Sequence, residues 1–305
     1  MTLDKIEKIF DNLSEGESLN LQLVKVKVST KNKTSYSTRK VELAPEGRLK
    51  SFMAEISTHY KKEFKKYNAI KEYDGTADAQ TIYELSSDNP LIGEEFKALQ
   101  EAISKPDVET DPLKFSSTAQ LIKEVVNIDD EEYRVKLFSM QNPITTLKHK
   151  FWNSSGTFSE IDGKVLSLRT SVDIMIVDDN IYMLSMAGEK LFNMERAYRG
   201  ICAQKVEEIE KIDIVTDFDS FKAFALKGHN PRKFVAFSDE HLKKLESLDN
   251  RSRLAQKFNI PLLEGKFDTT KQGVSDKIVK LLCNKGMVDP FDDAPMEVSS
   301  PRKWE

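Results

Sequence analysis

The stretch SLRTSVDIMIVDDNIYMLSMAGEKLFNMERAY, residues 167–198, decides which fold the sequence predicts. Its apolar runs at 172–177 and 181–185 predict two short strands, because both are rich in side chains that favour strands. The run Asp-Asp-Asn at 178–180 favours a tight turn, so the two strands form a hairpin. From Leu191 onward the apolar side chains recur at helical spacing. A hairpin followed by a helix, without steady strand–helix alternation, indicates an α+β fold.

The first half of the chain shows the same mixture of elements. Apolar side chains at helical spacing predict amphipathic helices at residues 3–13 and 49–67. Alternating apolar side chains predict a strand at residues 18–29, which a polar turn connects to a partner strand. The alternation changes phase between Leu23 and Val24, and this change predicts a bulge or a local twist.

The segment 142–156 is polar, rich in turn residues and close to the middle of the chain, so it is the best candidate for a domain boundary. The prediction is an N-terminal α+β domain at residues 1–142 and a C-terminal α+β domain with an acidic tail at residues 143–305. Mixed or antiparallel sheets flanked by helices are expected in this two-part chain. In the second part, residues 239–258 predict one long helix with Ser238 as its N-cap.

Composition excludes several classes of protein. The chain of 305 residues is long enough for about two domains with their own hydrophobic cores. Its two cysteines, Cys202 and Cys283, form no spaced cluster, which argues against a zinc ribbon or a disulfide framework. Apolar stretches fall far short of the ~18 residues of a membrane helix. The N-terminus does not resemble a secretion signal, so we expect a cytoplasmic protein.

The formal net charge of −4 conceals a strong separation of charge along the chain. Residues 21–71 contain thirteen Lys and Arg against four Glu, a balance of 13 − 4 = +9. Residues 72–111 contain two Lys against eleven acidic residues, a balance of 2 − 11 = −9. Such separation is typical of a surface that binds a polyanion, because spaced cations neutralise a line of phosphates together. The alternative is that these charges keep the surface solvated and pair with each other.

Three groups of cations are the candidate DNA contacts. They lie on the predicted hairpin, at the end of the second predicted helix and in a turn of the second half: Lys31, Lys33, Arg39 and Lys40; Lys61, Lys62, Lys65 and Lys66; and Arg232 and Lys233. Contacts of this kind bind phosphates and carry no sequence information. The hairpin and the helix end are neighbours in sequence, and we expect them to be neighbours in space. The turn is equally compatible with an ordinary exposed loop.

No common nucleotide-binding, metalloprotease or hydrolase motif occurs in the chain. The strongest enzymatic alternative is a Mg²⁺-dependent nuclease of the restriction-endonuclease-like type, with Glu264 and Lys266 at a strand edge and Asp249 upstream. A plain exposed turn explains Glu264-Gly265-Lys266 equally simply, since such triplets arise by chance in a chain rich in both charges. We therefore assign no catalytic residue, no metal ligand and no cofactor.

The strand, the Asp-containing turn, the second strand with Ile181-Tyr182 and the Phe192-bearing start of a helix resemble the core of the KwaB-like proteins of the Kiwa anti-phage system. The resemblance covers about half of the chain, from about Phe151 onward. It implies a bacterial cytoplasmic defence protein that binds DNA and assembles with a small transmembrane partner, KwaA, at the inner membrane. It implies no individual contact residue, so the candidate contacts rest on charge alone.

The leading hypothesis is therefore an anti-phage effector that binds DNA largely without sequence specificity, performs no catalysis and acts as a homodimer or a higher homo-oligomer. Its expected location is the cytoplasm, with peripheral association to the inner membrane through the partner. The alternatives are the nuclease centred on Glu264 and Lys266, and a purely structural interaction protein. In the last case the acidic tail, Asp289 to Asp293, would dock a partner.

Overall fold

An eight-stranded mixed sheet and nine helices dominate the computed structural model, which describes residues 1–15, 17–30, 33–43, 47–108, 111–288 and 294–298. The helices are α1 (Leu3–Asp11), α2 (Arg48–Glu63), α3 (Gly93–Ser104), α4 (Met194–Lys211), α5 (Phe218–Ala225), α6 (Asn230–Lys233), α7 (Asp239–Lys244), α8 (Leu248–Lys257) and α9 (Val274–Leu282). The strands are β1 (Glu17–Val28), β2 (Thr34–Val41), β3 (Ala69–Glu72), β4 (Thr81–Ser86), β5 (Ala119–Ile128), β6 (Glu131–Ser139), β7 (Ile144–Ser154), β8 (Thr157–Leu166), β9 (Ile174–Val177), β10 (Asn180–Met183), β11 (Leu262–Leu263), β12 (Lys266–Phe267), β13 (Gly286–Val288) and β14 (Pro295–Glu297). The predicted α+β class is confirmed.

The large sheet has the strand order β2-β1-β5-β6-β9-β10-β4-β3. Neighbouring strands are antiparallel except for the parallel pair β3 and β4. The hairpin predicted from residues 167–198 is present: Val177 pairs with Asn180, and Asp178 adopts a positive φ of 53° in the turn. This hairpin lies between β6 and β4, so it joins the two halves of the sheet.

The chain forms two compact units, which differ from the predicted division at residue 142. The first unit contains the described residues up to 72 and residues 78–194, and the second contains 73–77 and the described residues from 195 onward. The predicted boundary falls inside the first unit because β9 and β10 complete a sheet begun by strands before it. Moreover, the predicted linker region forms β7 and β8, a separate two-stranded ribbon.

Helices cover both faces of the large sheet. On the face that carries Leu21, which we call the α2 face, α1 and α2 contribute to a core that includes Ile6, Ile9, Phe10, Met53, Ile56, Tyr60, Ile122, Val135, Met175 and Tyr182. On the opposite face, which we call the α3 face, Gln22 Nε2 donates to the carbonyl of Ile103 in α3 at 3.4 Å. Leu23 and Val24 are both fully buried, since each of the two faces is covered. Of the predicted bulge or local twist, the bulge is wrong, because the register through Leu23 and Val24 is continuous and the irregular register lies between Glu17 and Asn20.

The second unit has its own core. Residues from α4, α5, α9 and the segments between them bury Cys202, Val206, Ile209, Phe221, Phe234 and Ile278. Ser238 caps α7 as predicted, with its Oγ accepting from the His241 N–H at 3.2 Å. The single helix expected at 239–258 is divided, because Ser247 caps a second helix and Arg251 binds the carbonyl of Leu245 at 2.6 Å. Among the described helices, none combines the length and the apolar character needed to cross a membrane.

Candidate nucleic-acid interface

The β1–β2 hairpin carries the first group of predicted contacts. Lys33 is exposed next to the turn, whereas Lys31 lies outside the described residues. Arg39 is largely covered and donates from NH1 to the carbonyl of Asp107 at 3.0 Å. Lys40 is half-exposed and forms an ion pair with Glu42 at 3.1 Å. Of the predicted hairpin contacts that are described, Lys33 alone has no carboxylate partner within the described residues.

Two lysines of the same hairpin were not among the predicted contacts. Lys25 pairs in register with Ser37 and Lys27 with Ser35, and alternation along β1 places both lysines on one face. Neither lysine forms an ion pair with any described carboxylate. Ammonium and hydroxyl groups side by side are common donors to phosphate oxygens. The signal was available in the sequence, because the alternation Val-Lys-Val-Lys in residues 24–27 already separates the two lysines from the valines.

The end of α2 is held in place by aromatic side chains. Tyr60 stacks on Phe10 with ring centroids 4.2 Å apart, and its hydroxyl donates to the carbonyl of Val172 at 2.9 Å. Burial raises the pKa of the Tyr60 hydroxyl well above its usual range, so it remains a neutral donor. Tyr67, just beyond the following 3₁₀ turn, donates to the carbonyl of Leu184 at 3.1 Å. These contacts fix the position of the end of α2, and with it the positions of the lysines on this segment.

Four exposed lysines lie at the end of α2 and in the 3₁₀ turn that follows it. We call them the helix-end cluster: Lys61, Lys62, Lys65 and Lys66. Their spacing of i, i+1, i+4 and i+5 places them on one side of the helix. Lys66 pairs with Glu63 at 2.6 Å, and Lys61 approaches Asp11 at 3.9 Å. Lys62 and Lys65 have no carboxylate partner in the described part of the chain. Cations at this position also interact favourably with the negative end of the helix dipole. Stabilisation of the helix is therefore the alternative explanation for this cluster.

The hairpin and the helix-end cluster do not form one surface, contrary to our expectation. The strand β2 is one edge of the large sheet, whereas the helix-end cluster directly precedes β3, the opposite edge. Seven strand spacings of about 4.8 Å separate the two edges, or roughly 34 Å. The neighbouring acidic segment 72–111 also does not neutralise the basic segment 21–71. Of the described cations in the basic segment, Arg39 alone forms an ion pair with that acidic segment.

Arg232 and Lys233 are engaged within the second unit. Arg232 donates from Nε to the hydroxyl of Tyr73 at 3.2 Å and from NH2 to the carbonyl of Thr76 at 3.1 Å. Lys233 pairs with Asp276 at 3.1 Å. Gly75 approaches this segment so closely that an added Cβ would lie 2.5 Å from the carbonyl oxygen of Arg232. This geometry favours a structural role for both cations, and their contact with DNA stays a prediction.

The residues of the nuclease alternative form a turn between two short strands. Glu264 and Gly265 have positive φ angles of 52° and 77°, and they connect β11 to β12. Lys266 forms an ion pair with Asp213. Asp249 lies in the first turn of α8. In the described part of the chain, no group of three His, Cys, Asp or Glu side chains is arranged to hold a metal ion.

The comparison with known families gives a match over the middle and later parts of the chain. The family described as Kiwa protein KwaB-like matches residues 120–288, which is more than half of the 305 residues. The matched region runs from β5 to the end of β13 and does not include the basic segment 21–71. Neither a curated protein nor a solved structure matches the chain.

Proposed function

The chain belongs to the KwaB-like family of Kiwa proteins, and we propose that it is an anti-phage effector that binds DNA without reading its sequence. Family membership supports a part in Kiwa defence and a complex with other Kiwa components. The DNA binding, its mode and the absence of a catalytic step are our proposals. The proposed DNA binding rests on the charges of the first unit, and no motif of the family is used to support it.

The helix-end cluster is the observation that carries this proposal. Its four ammonium groups are exposed on one side of a rigid helix end, and Lys62 and Lys65 have no acidic partner in the described residues. Surface ion pairs such as those of Lys61 and Lys66 contribute little free energy, so phosphates exchange for their carboxylates at low cost. Each phosphate neutralised releases condensed counterions, which gives affinity for any sequence. Lys25, Lys27 and Lys33, which have no ion-pair partner among the described residues, supply a second set of cations on the β1–β2 hairpin at the other side of the sheet.

The test is retention on duplex DNA after charge reversal of the helix-end cluster. We expect the variant with Lys61→Glu, Lys62→Glu, Lys65→Glu and Lys66→Glu to lose retention at moderate salt, because repulsion replaces four attractions. The matched control reverses four other exposed lysines without described ion pairs, Lys190, Lys211, Lys227 and Lys243. Both variants change the net charge equally. Equal loss in both, or full retention by the first, contradicts the assignment of the site.

Incubation with DNA and Mg²⁺ separates this function from the nuclease alternative. The proposed effector leaves DNA intact, whereas a nuclease centred on Glu264 and Lys266 cleaves it. Cleavage that disappears in Glu264→Ala and persists in Asp213→Ala would replace our proposal with the enzymatic one. The Asp213 variant is a suitable control because it removes the ion-pair partner of Lys266 and leaves the carboxylate of Glu264 in place.

The remaining parts of the proposal concern assembly. We propose that the protein acts as a homodimer or a higher homo-oligomer in the cytoplasm and associates with the inner membrane through the transmembrane partner KwaA. Its mass in solution tests the first part. Its distribution between membrane and supernatant, with and without the coexpressed partner, tests the second, and an unchanged distribution contradicts it. The alternative in which residues 289–293 dock the partner concerns residues outside the described ranges, and deletion of the chain after Gly286 tests it.

A further inference from the structure

Two lysines of the family-matched region face each other on neighbouring strands. Lys123 in β5 and Lys136 in β6 are direct partners in the antiparallel register, so their Cβ atoms are about 5 Å apart. In the next strand, Asn20 is the partner of Lys123, which makes a polar row of Asn20, Lys123 and Lys136 across β1, β5 and β6. Alternation places this row on the α3 face, because Gln22 on β1 contacts α3.

Neither lysine has an ion-pair partner among the described residues. Lys136 donates to Gln100 Oε1 of α3 at 2.9 Å, and within the described ranges no polar side-chain contact holds the ammonium group of Lys123. Both side chains are partly buried rather than fully exposed. Asp179, Asp178 and Arg134 also act on the charge of Lys136, and each has a smaller effect on its pKa than burial.

The two facing ammonium groups repel each other when no ligand lies between them. Like charges directly opposite each other on neighbouring strands destabilise a sheet, and partial burial adds the cost of removing water from each charge. Burial lowers the pKa of both lysines, and for Lys136 the carboxylate of Asp179 opposes this effect more strongly than the charge of Lys123 adds to it. An anion between the two ammonium groups would reverse the sign of the interaction and replace the lost water.

We propose that Lys123 and Lys136 bind a phosphate group on the α3 face of the sheet. The two ammonium groups donate to the phosphate oxygens, and the hydrogen bond to Gln100 orients Lys136 for this contact. The amide of Asn20 stands beside Lys123 in the same row and supplies a further polar group. The site is distinct from the helix-end cluster, because the sheet lies between Lys123 and the α2 face that supports that cluster. Its existence therefore does not depend on the proposed function.

Thermal unfolding with inorganic phosphate tests the site, with sodium chloride of equal ionic strength as the reference. At phosphate tenfold above its dissociation constant, we expect the midpoint of the wild-type protein to rise by about 3–5 °C. Lys123→Met should remove this rise, whereas without phosphate its midpoint should equal or exceed that of the wild type, because a repulsion is lost. Lys123→Arg keeps the charge and should keep the rise, and the exposed control Lys190→Met should match the wild type.

The source of the phosphate group is distinguished by a second ligand. Binding of a short oligonucleotide that falls in Lys123→Met, together with the phosphate effect, identifies the nucleic-acid backbone as the source. An unchanged oligonucleotide affinity with a lost phosphate effect identifies a small phosphorylated ligand. The variant with a reversed helix-end cluster should retain the phosphate effect in full. No rise in the wild type over chloride, or an equal rise in Lys123→Met and Lys136→Gln, overturns the proposal.

Discussion

The helix-end cluster and the Arg232–Lys233 pair have the same chemistry in the sequence and different surroundings in the structure. Hydrogen bonds of Tyr60 and Tyr67 hold the end of α2 in place, and the ammonium groups of its lysines remain exposed. In the second unit the cations themselves stabilise the local structure, because Arg232 donates to the hydroxyl of Tyr73 and Lys233 forms an ion pair with Asp276. A cation is available to a ligand when other residues stabilise the local structure and the cation itself is not needed for it.

The salt dependence of DNA binding should separate the two regions most strongly. If four lysines of the helix-end cluster contact phosphates, affinity falls about 100-fold between 50 and 200 mM salt, and Lys→Gln at all four positions removes that dependence. Arg232→Gln and Lys233→Gln should leave the slope unchanged in protein that remains folded. Fluorescence anisotropy with a labelled duplex measures both slopes. The comparison fails if the second variant changes the slope as much as the first.

Stability should respond in the opposite way. Arg232→Ala removes the donor to Tyr73 and to the carbonyl of Thr76, and we expect a loss of about 2–3 kcal/mol in the free energy of unfolding. Arg253→Ala is the matched control, since Arg253 is exposed and contacts Asn250 alone, at 3.3 Å, among the described hydrogen bonds. Urea denaturation followed by circular dichroism measures both. Equal effects of the two variants would show that Arg232 is as dispensable as a surface residue.

Acid should reveal the contribution of Lys233. Burial alone would raise the pKa of Asp276, but hydrogen bonds from Lys280 and Lys233 lower it below its usual value. A lowered pKa stabilises the folded state above the unfolded pKa of about 3.9, and this contribution is lost as the pH falls through the folded pKa. Lys233→Gln should therefore cost less than about 1 kcal/mol at pH 7, and less again near pH 3. Urea midpoints at both pH values check the trend, and a cost that grows in acid contradicts it.

Lys61 should give the smallest change in stability. Its ion pair with Asp11 is long, at 3.9 Å, and the Lys61 side chain is 59% exposed, so Lys61→Gln should change the free energy of unfolding by less than about 0.5 kcal/mol. The same substitution should reduce the salt slope of DNA binding by about 0.9. A large loss of stability would place Lys61 with the structural cations, and an unchanged slope would remove it from the DNA contacts.

Much of the local structure could be predicted because its signals are local. The apolar runs around 178–180 predicted the β9–β10 hairpin, and Ser238 identified the start of α7. The division of the helix after α7 was missed, because the apolar pattern continues through it and the cap at Ser247 competes with the pattern. The supposed bulge at Leu23 and Val24 was an error of the same kind, since a strand buried on both faces loses its alternation.

The candidate contacts were harder to predict from charge alone. Charge counting found the helix-end cluster, and the alternation of β1 would have found Lys25 and Lys27 if side-chain direction had been considered. Charge counting could not distinguish Arg232 from an exposed cation, because the residues that bind Arg232 lie more than 150 positions earlier in the chain. The facing pair Lys123 and Lys136 was likewise hidden, since it depends on the register of two strands.

The sequence by itself determined several of the helices and strands, the central hairpin and the separation of charge, because periodicity, turn chemistry and composition act over a few residues. Tertiary structure alone decided that residues 172–185 complete the sheet begun by β1 and β2, and that the two basic regions lie at its opposite edges. It also decided which cations are held by partners and which are exposed. The physical reason is that strand order and burial depend on contacts between segments far apart in the chain, and those contacts leave no local pattern.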